Sequence, residues 1–190
     1  MKRIFDIVLS FFLLAVLTPV FLFISTFIMF EGKGPVFFVQ ERIGRQGITF
    51  KIFKFRTMIP DVFVVEEYQN YAGDPRVTKL GELLRRLSLD ELPQLVNIFL
   101  GDMSFVGPRP PISTHPYAFE KYPMTIKKRF NVKPGVTGWA QVNGRNELTW
   151  RQKWVYDLYY VDKRNFLFDL YILFLTAARL LSPKGVYDKG

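Results

Sequence analysis

Two adjacent carboxylates, Asp90 and Glu91, sit in the run Ser88-Leu89-Asp90-Glu91-Leu92-Pro93, closely preceded by Arg85 and Arg86. Arg109 follows in the proline-rich loop Gly107-Pro108-Arg109-Pro110-Pro111, and Lys54, Arg56 and Arg145 are further cations carried by other segments. Acids set among cations suit chemistry on a phosphorylated substrate. A carboxylate attacks phosphorus or holds a divalent cation, and arginines neutralise phosphate oxygens with two parallel hydrogen bonds. An oxygen-only site with few protein ligands suits Mg²⁺, with Asp90 and Glu91 as its carboxylates. Two plainer readings use the same residues. Ser88-x-x-Glu91 has the form of a helix capping box, and a structural ion-pair network draws on the same side-chain types. The residues alone leave all three open.

The composition narrows the chemistry. The 190 residues contain no cysteine, which removes disulfides, thiolate catalysis and cysteine-ligated zinc. The single histidine, His115, lies among prolines and excludes a multi-histidine metal site. A formal net charge of +9 calls for an anionic partner: nucleic acid, phospholipid headgroups or a phosphorylated substrate. Aromatic residues make up 17% of the chain, twenty of them Phe, and this favours a membrane interface. No nucleic-acid-binding motif accompanies the charge.

The apolar run from Ile4 to Phe30 is too long for the core of a signal peptide and ends in no small-residue cleavage site. Pro19 falls in its middle, removes the hydrogen bond to the Ala15 carbonyl and predicts a sharp bend, with Thr18 able to satisfy a freed carbonyl. Each arm of roughly 13 residues then reaches about 20 Å at ~1.5 Å per residue, short of the ~30 Å hydrocarbon core. Lys2 and Arg3 mark one end as cytoplasmic, and Lys33, Arg42, Arg45, Lys51, Lys54 and Arg56 mark the other likewise. A helix that enters and returns satisfies both ends. Residues 1–32 are therefore expected to form a re-entrant membrane helix, with residues 33–190 as a catalytic domain on the cytoplasmic face and Asp6 near the headgroups.

Beyond Gly34, Pro35 to Gln40 and Ile48 to Arg56 read as strands around a Gly44-Arg45-Gln46-Gly47 turn. Lys79 to Arg86 and a segment begun by Pro93 read as short helices, and a helix is expected over Tyr117 to Phe130. Thr149 to Val161 mixes Trp, Tyr and charge in the manner of a helix at headgroup level, and Phe166 to Leu181 reads as a core or interfacial helix. Ile59 to Thr78 carries no clear pattern. In the loop Pro134 to Arg145, glycines permit tight turns or close approach of the backbone to a ligand, without a phosphate-binding P-loop signature. The fold class is α+β, mainly helical: a small membrane-associated domain.

Five stretches, in order, resemble the bacterial sugar transferase family, the monotopic phosphoglycosyl transferases. They are Lys2-Arg3-Ile4-Phe5-Asp6, Lys54-Phe55-Arg56-Thr57-Met58, Leu87 to Leu95, Gly101 to Pro110, and Lys133 to Arg145. They span nearly the whole chain and match the minimal catalytic part of the family, to which larger members add spanning helices and a further domain. The resemblance implies that Asp90 attacks the β-phosphate of a UDP-sugar, expels UMP and carries the phosphosugar until a polyprenyl phosphate, expected to be undecaprenyl phosphate, takes it. Glu91 would handle the acceptor's proton or help hold Mg²⁺. Arg85 and Arg109 would clamp the diphosphate, with Lys54 or Arg56 in support. Such a protein sits at the bacterial inner membrane. UDP-glucose, UDP-galactose and N-acetylated donors all suit these residues, and the sequence leaves a homo-oligomer open. A glycosyltransferase releasing UDP and an inactive membrane-surface scaffold are the rival readings.

Overall fold

A computed structural model describes residues 1–59, 74–144 and 147–181. Helix α1, Lys2–Glu31, is one unbroken helical element with Pro19 inside it. The Thr18 hydroxyl donates to the Leu14 carbonyl at 2.8 Å, one residue before the carbonyl that Pro19 frees. α1 is also the one helix among the described residues long and apolar enough to cross a membrane.

Both ends of α1 are fastened to the same body. At the start, the Asp6 carboxylate, 2% exposed, accepts from the Ser104 hydroxyl at 3.1 Å and the Phe105 amide at 3.2 Å. Lys2 donates to the Val106 carbonyl at 3.0 Å and to Asp169 at 2.6 Å, and Arg3 caps the carbonyls of Ile98 and Phe99. At the far end, Ile24 and Ile28 pack with Phe55 and Leu84. Between them Leu9, Leu13, Leu14 and Leu17 lie against the main core of Ile52, Leu95, Ile98, Met103, Phe105, Val106, Val142, Tyr160 and Ile172. The opposite face of α1 leaves Ile4, Val8, Phe11, Phe12, Phe23 and Phe30 exposed. The sequence reading took Lys2 and Arg3 as charges marking a cytoplasmic end and Asp6 as a charge near the headgroups. All three are also the polar clamps of the helix on the domain.

Strands β1, Phe37–Ile43, and β2, Thr49–Phe55, pair antiparallel with Phe38 opposite Lys54 and Arg42 opposite Phe50. Their turn takes Gln46 to φ 59° and Gly47 to φ 82°, which is why a glycine closes it. α2, Lys79–Arg86, starts at Thr78, whose hydroxyl accepts from the Gly81 amide. A single 3-10 turn, Leu89–Glu91, leads to α3, Gln94–Leu100. Asn97 on α3 is fully buried. Its side chain accepts from the Phe53 amide and donates to the Lys51 carbonyl, locking β2 onto α3.

Two short strands, β3, Ser104–Val106, and β4, Gly135–Thr137, pair in parallel. Here the glycine loop has its reason. A Cβ on Gly135 would lie 2.1 Å from the Gly107 amide nitrogen, and one on Gly138 would lie 2.1 Å from the Gly107 carbonyl oxygen. At these glycines the close approach is of backbone to backbone.

The expected helix over Tyr117 to Phe130 is broken up. Pro123 stops it, leaving a 3-10 turn at Phe119–Lys121, the four-residue α4, Met124–Lys127, and a second turn at Lys128–Asn131. α5, Trp139–Val142, precedes α6, Trp150–Lys163, which opens with a true capping box between Thr149 and Gln152, and α7, Phe166–Leu181, closes the described fold. Most of the unpatterned Ile59 to Thr78 stretch, residues 60–73, lies outside the described residues.

Replacing Asp6 with alanine strands two buried donors, so Asp6→Ala should cost about 2 kcal/mol. Thermal unfolding in detergent measures it, and an unchanged midpoint would refute the clamp.

Candidate active site

The 3-10 turn Leu89–Glu91 brings its two acids to the interior, Asp90 at 9% and Glu91 at 8% exposure. Ser88, which enters the turn in the left-handed region at φ 57°, makes no side-chain capping bond to it. The capping-box reading of Ser88-x-x-Glu91 therefore fails, and Glu91 is directed elsewhere. One Glu91 carboxylate oxygen accepts from Lys54 at 2.8 Å and from Arg109 at 2.6 Å, and the other accepts from Arg109 at 3.4 Å. Lys54 comes from β2, held by Asn97, and Arg109 from the proline loop after β3. Arg85, at the end of α2, donates to the Thr57 hydroxyl at 2.9 Å, and its charge reaches Asp90.

The two carboxyls are driven apart. Burial alone would raise Glu91, but the charges of Arg109 and Lys54 and their hydrogen bonds outweigh it and hold Glu91 well below the usual carboxylate range. Asp90 is raised above its ordinary value, first by burial and then by the neighbouring Glu91 charge, against the pull of Lys54, Arg85 and Arg109. Burial, with repulsion from Arg109, lowers Lys54, while Glu91 raises the Arg109 guanidinium. One acid is thus fully neutralised by cations, and its neighbour is left as the more basic carboxylate. Arg109 keeps a 41% exposed side chain, a cation with a face toward solvent.

The sequence reading placed Lys54, Arg85 and Arg109 here with Asp90 and Glu91, and the structure brings all five together. Arg56 goes elsewhere. Its guanidinium donates to the carbonyls of Ile28, Gly32 and Lys33, capping the carboxyl end of α1. Arg145 lies outside the described residues.

Arg42 was read only as a charge marking the membrane side. It stands close enough to Arg109 and Glu91 to feel both, and burial with repulsion from Arg109 pushes it down to about 10. Its alternation on the hairpin, opposite Phe50, was the one signal that could have pointed inward. With Arg42 counted, four cationic side chains surround two carboxylates, an excess that suits an anionic ligand.

Among the described residues no three His, Asp or Glu side chains gather as a metal cage. One Glu91 oxygen is engaged by Lys54 and Arg109 and the other is met only by Arg109 at 3.4 Å, so Asp90 and Glu91 together offer few oxygens to an ion. That fits Mg²⁺ as an ion shared with waters and ligand phosphates.

Removing the Glu91 charge leaves Lys54 and Arg109 without their anion, so Glu91→Gln should destabilise the fold by about 3 kcal/mol near neutral pH. Because the folded pKa of Glu91 is depressed, this stability is fully present above its ordinary value of 4.5 and is lost as pH falls through the folded value. Denaturation midpoints of both proteins should converge on acidification; a gap that widens below pH 4.5 would contradict the pairing.

Comparison with known proteins gives the family of the chain. The family model described as bacterial sugar transferase matches residues 1–183. The chain is 43% identical over 188 residues to the uncharacterised sugar transferase EpsL of Bacillus subtilis (strain 168), covering 98% of this chain and 90% of that one. It is 41% identical over 195 residues to the UDP-glucose:undecaprenyl-phosphate glucose-1-phosphate transferase of Escherichia coli (strain K12), and 36% identical over 202 residues to the undecaprenyl-phosphate galactose phosphotransferase of Salmonella typhimurium. Each of these two alignments covers 98% of this chain but only 41% and 42% of the relative, so the chain spans about two-fifths of their length. With a match over nearly its whole length and an acidic turn set among cations, this chain belongs to the bacterial sugar transferase family.

Proposed function

We propose that the protein is a phosphoglycosyl transferase that moves a sugar 1-phosphate from a UDP-sugar to undecaprenyl phosphate, releasing UMP. The observation that carries this reading is the division of the carboxylate pair: Glu91 is neutralised by Lys54 and Arg109, and Asp90 is left as the more basic acid. An oxygen of Asp90 attacks the β-phosphorus of the donor. The bond from that phosphorus to the bridging oxygen breaks, and UMP departs with the electron pair. An oxygen of the polyprenyl phosphate then attacks the same phosphorus and frees the Asp90 carboxylate.

Glu91, held far below the usual carboxylate range, is a weak base. The acceptor needs none, since a phosphate monoester with a second pKa near ~6 is largely deprotonated at neutral pH. Glu91 instead fixes Lys54 and Arg109, which with Arg85 neutralise the diphosphate oxygens. Mg²⁺ bound at Asp90 would add further charge neutralisation on the diphosphate.

A covalent intermediate lets a water-soluble donor and a membrane-soluble acceptor use one site in turn. The exposed apolar face of α1 supports insertion into the cytoplasmic leaflet of the inner membrane, and its two fastened ends support a re-entrant path over a span. The product would begin a membrane-linked glycan, such as an exopolysaccharide.

Incubated with Mg²⁺, undecaprenyl phosphate and a panel of UDP-sugars, the purified protein should release UMP with one donor. Asp90→Asn should lower that release by about 10³-fold or more. Release of UDP instead would make the protein a glycosyltransferase and end the covalent reading.

Asp90 attacks as the carboxylate, so the acid limb of kcat/KM should lie above its ordinary 3.8. Lys54 pulls Asp90 down, and Lys54→Met should move that limb to higher pH; an unmoved limb would place Lys54 outside the site.

A further inference from the structure

The loop Gly107 to Pro111 offers few amides, because three of its five residues are prolines. It is held by its carbonyls. The Pro108 carbonyl accepts from the Gly135 amide at 3.0 Å and the Pro111 carbonyl from the Ile43 amide at 3.0 Å. The two carbonyls between them are met by side chains: that of Pro110 by Arg42 at 3.1 Å, and that of Arg109 itself by Arg129 at 2.9 Å.

Arg129 is 2% exposed, in the 3-10 turn Lys128–Asn131, and is aimed by Asp157 of α6, also 2% exposed. Its Nε and Nη2 both donate to one Asp157 oxygen, at 2.9 and 2.7 Å, while Nη2 also reaches the Arg109 carbonyl. The cavity that Arg129 lines with Pro108, Arg109 and Pro110 holds about 10 Å³, room for one water at most. Arg129 therefore acts on the site only through the loop. A buried ion pair is a poor source of stability, because desolvating both charges offsets their attraction. What this pair does supply, and apolar side chains would not, is a donor at a fixed point under Arg109.

We propose that the buried Arg129–Asp157 pair is a positioning device that sets the Arg109 guanidinium for the donor diphosphate by holding the Arg109 main-chain carbonyl. This rests on the reading of Arg109 as a diphosphate clamp. The guanidinium fork is needed because one group must satisfy a carboxylate and a carbonyl in different directions. The pair also ties the site to α6, whose outer face exposes Val155 and Tyr159.

The test is a double-mutant cycle read by binding of inorganic diphosphate, with UMP release measured in parallel. The variant Arg129→Met with Asp157→Leu removes both charges at similar volume and is expected to melt within a few degrees of the parent. It should bind diphosphate about tenfold more weakly and lose about 10²-fold in kcat/KM, the effect of a misplaced clamp. Arg109→Met should weaken diphosphate binding in the parent and add little in the doubly substituted background. If the two effects simply add, or if the parent binds no diphosphate, the positioning role is overturned. Arg129→Lys, which keeps a charge against Asp157, carries the same comparison should the apolar variant fail to fold. Coupling without UMP release would sink the proposed reaction and leave the positioning role standing; UMP release with additive effects would do the reverse.

Discussion

Three segments distant in sequence meet at one carboxylate. Lys54 arrives on a hairpin, Arg109 on a proline loop and Glu91 on a single 3-10 turn, and the contacts at Glu91 hold them together. Burying a carboxylate is costly unless cations and hydrogen bonds answer it. Here two cations do so, and the arrangement has a consequence one residue away. With Lys54 and Arg109 engaged by Glu91, Asp90 is buried beside a negative charge and becomes the less acidic of the pair. Adjacent residues of nearly the same chemistry are thereby given different surroundings, one holding the cations and the other left the less acidic.

The rest of the fold serves to bring those three segments into register. Asn97 fixes β2 on α3, so that Lys54 faces the turn. Close backbone packing of Gly107 against Gly135 and Gly138 sets the start of the Arg109 loop. Asp6 and Lys2, from the first turns of α1, grip β3 just before that loop. The apolar helix is thus more than an attachment. Its outward face is apolar, while Lys2 and Asp6 turn inward and brace the strand that leads to the site. Arg56 completes the same bracing at the other end by capping the α1 carbonyls.

Much of this was readable in advance where local rules apply. Helix α2 was readable from its amphipathic pattern, the β1–β2 hairpin from β-rich runs flanking a glycine turn, and α6 and α7 from their apolar and aromatic runs. The helix expected over Tyr117 to Phe130 misjudged Pro123, whose cost to a helix interior outweighed the propensity of its neighbours. The β3–β4 pair had no sequence signal at all, since three-residue parallel strands more than twenty residues apart are defined only by their partners.

By itself the sequence determined which residue types were available for chemistry: a histidine-poor, cysteine-free chain with the acidic pair Asp90-Glu91 close to arginines and a surplus of basic over acidic residues. It also determined the apolar α1, because hydrophobicity and helical length are local properties. Only the tertiary structure decided how the cations were divided. Arg56 and Arg109 look equally suited to phosphate in a string of letters, yet one caps a helix and the other flanks a carboxylate. Arg42 and Arg129, unremarkable in sequence, hold the loop that carries Arg109. A charged side chain's role depends on which buried acceptor it must satisfy, and that acceptor is set by folding of segments far apart in the chain.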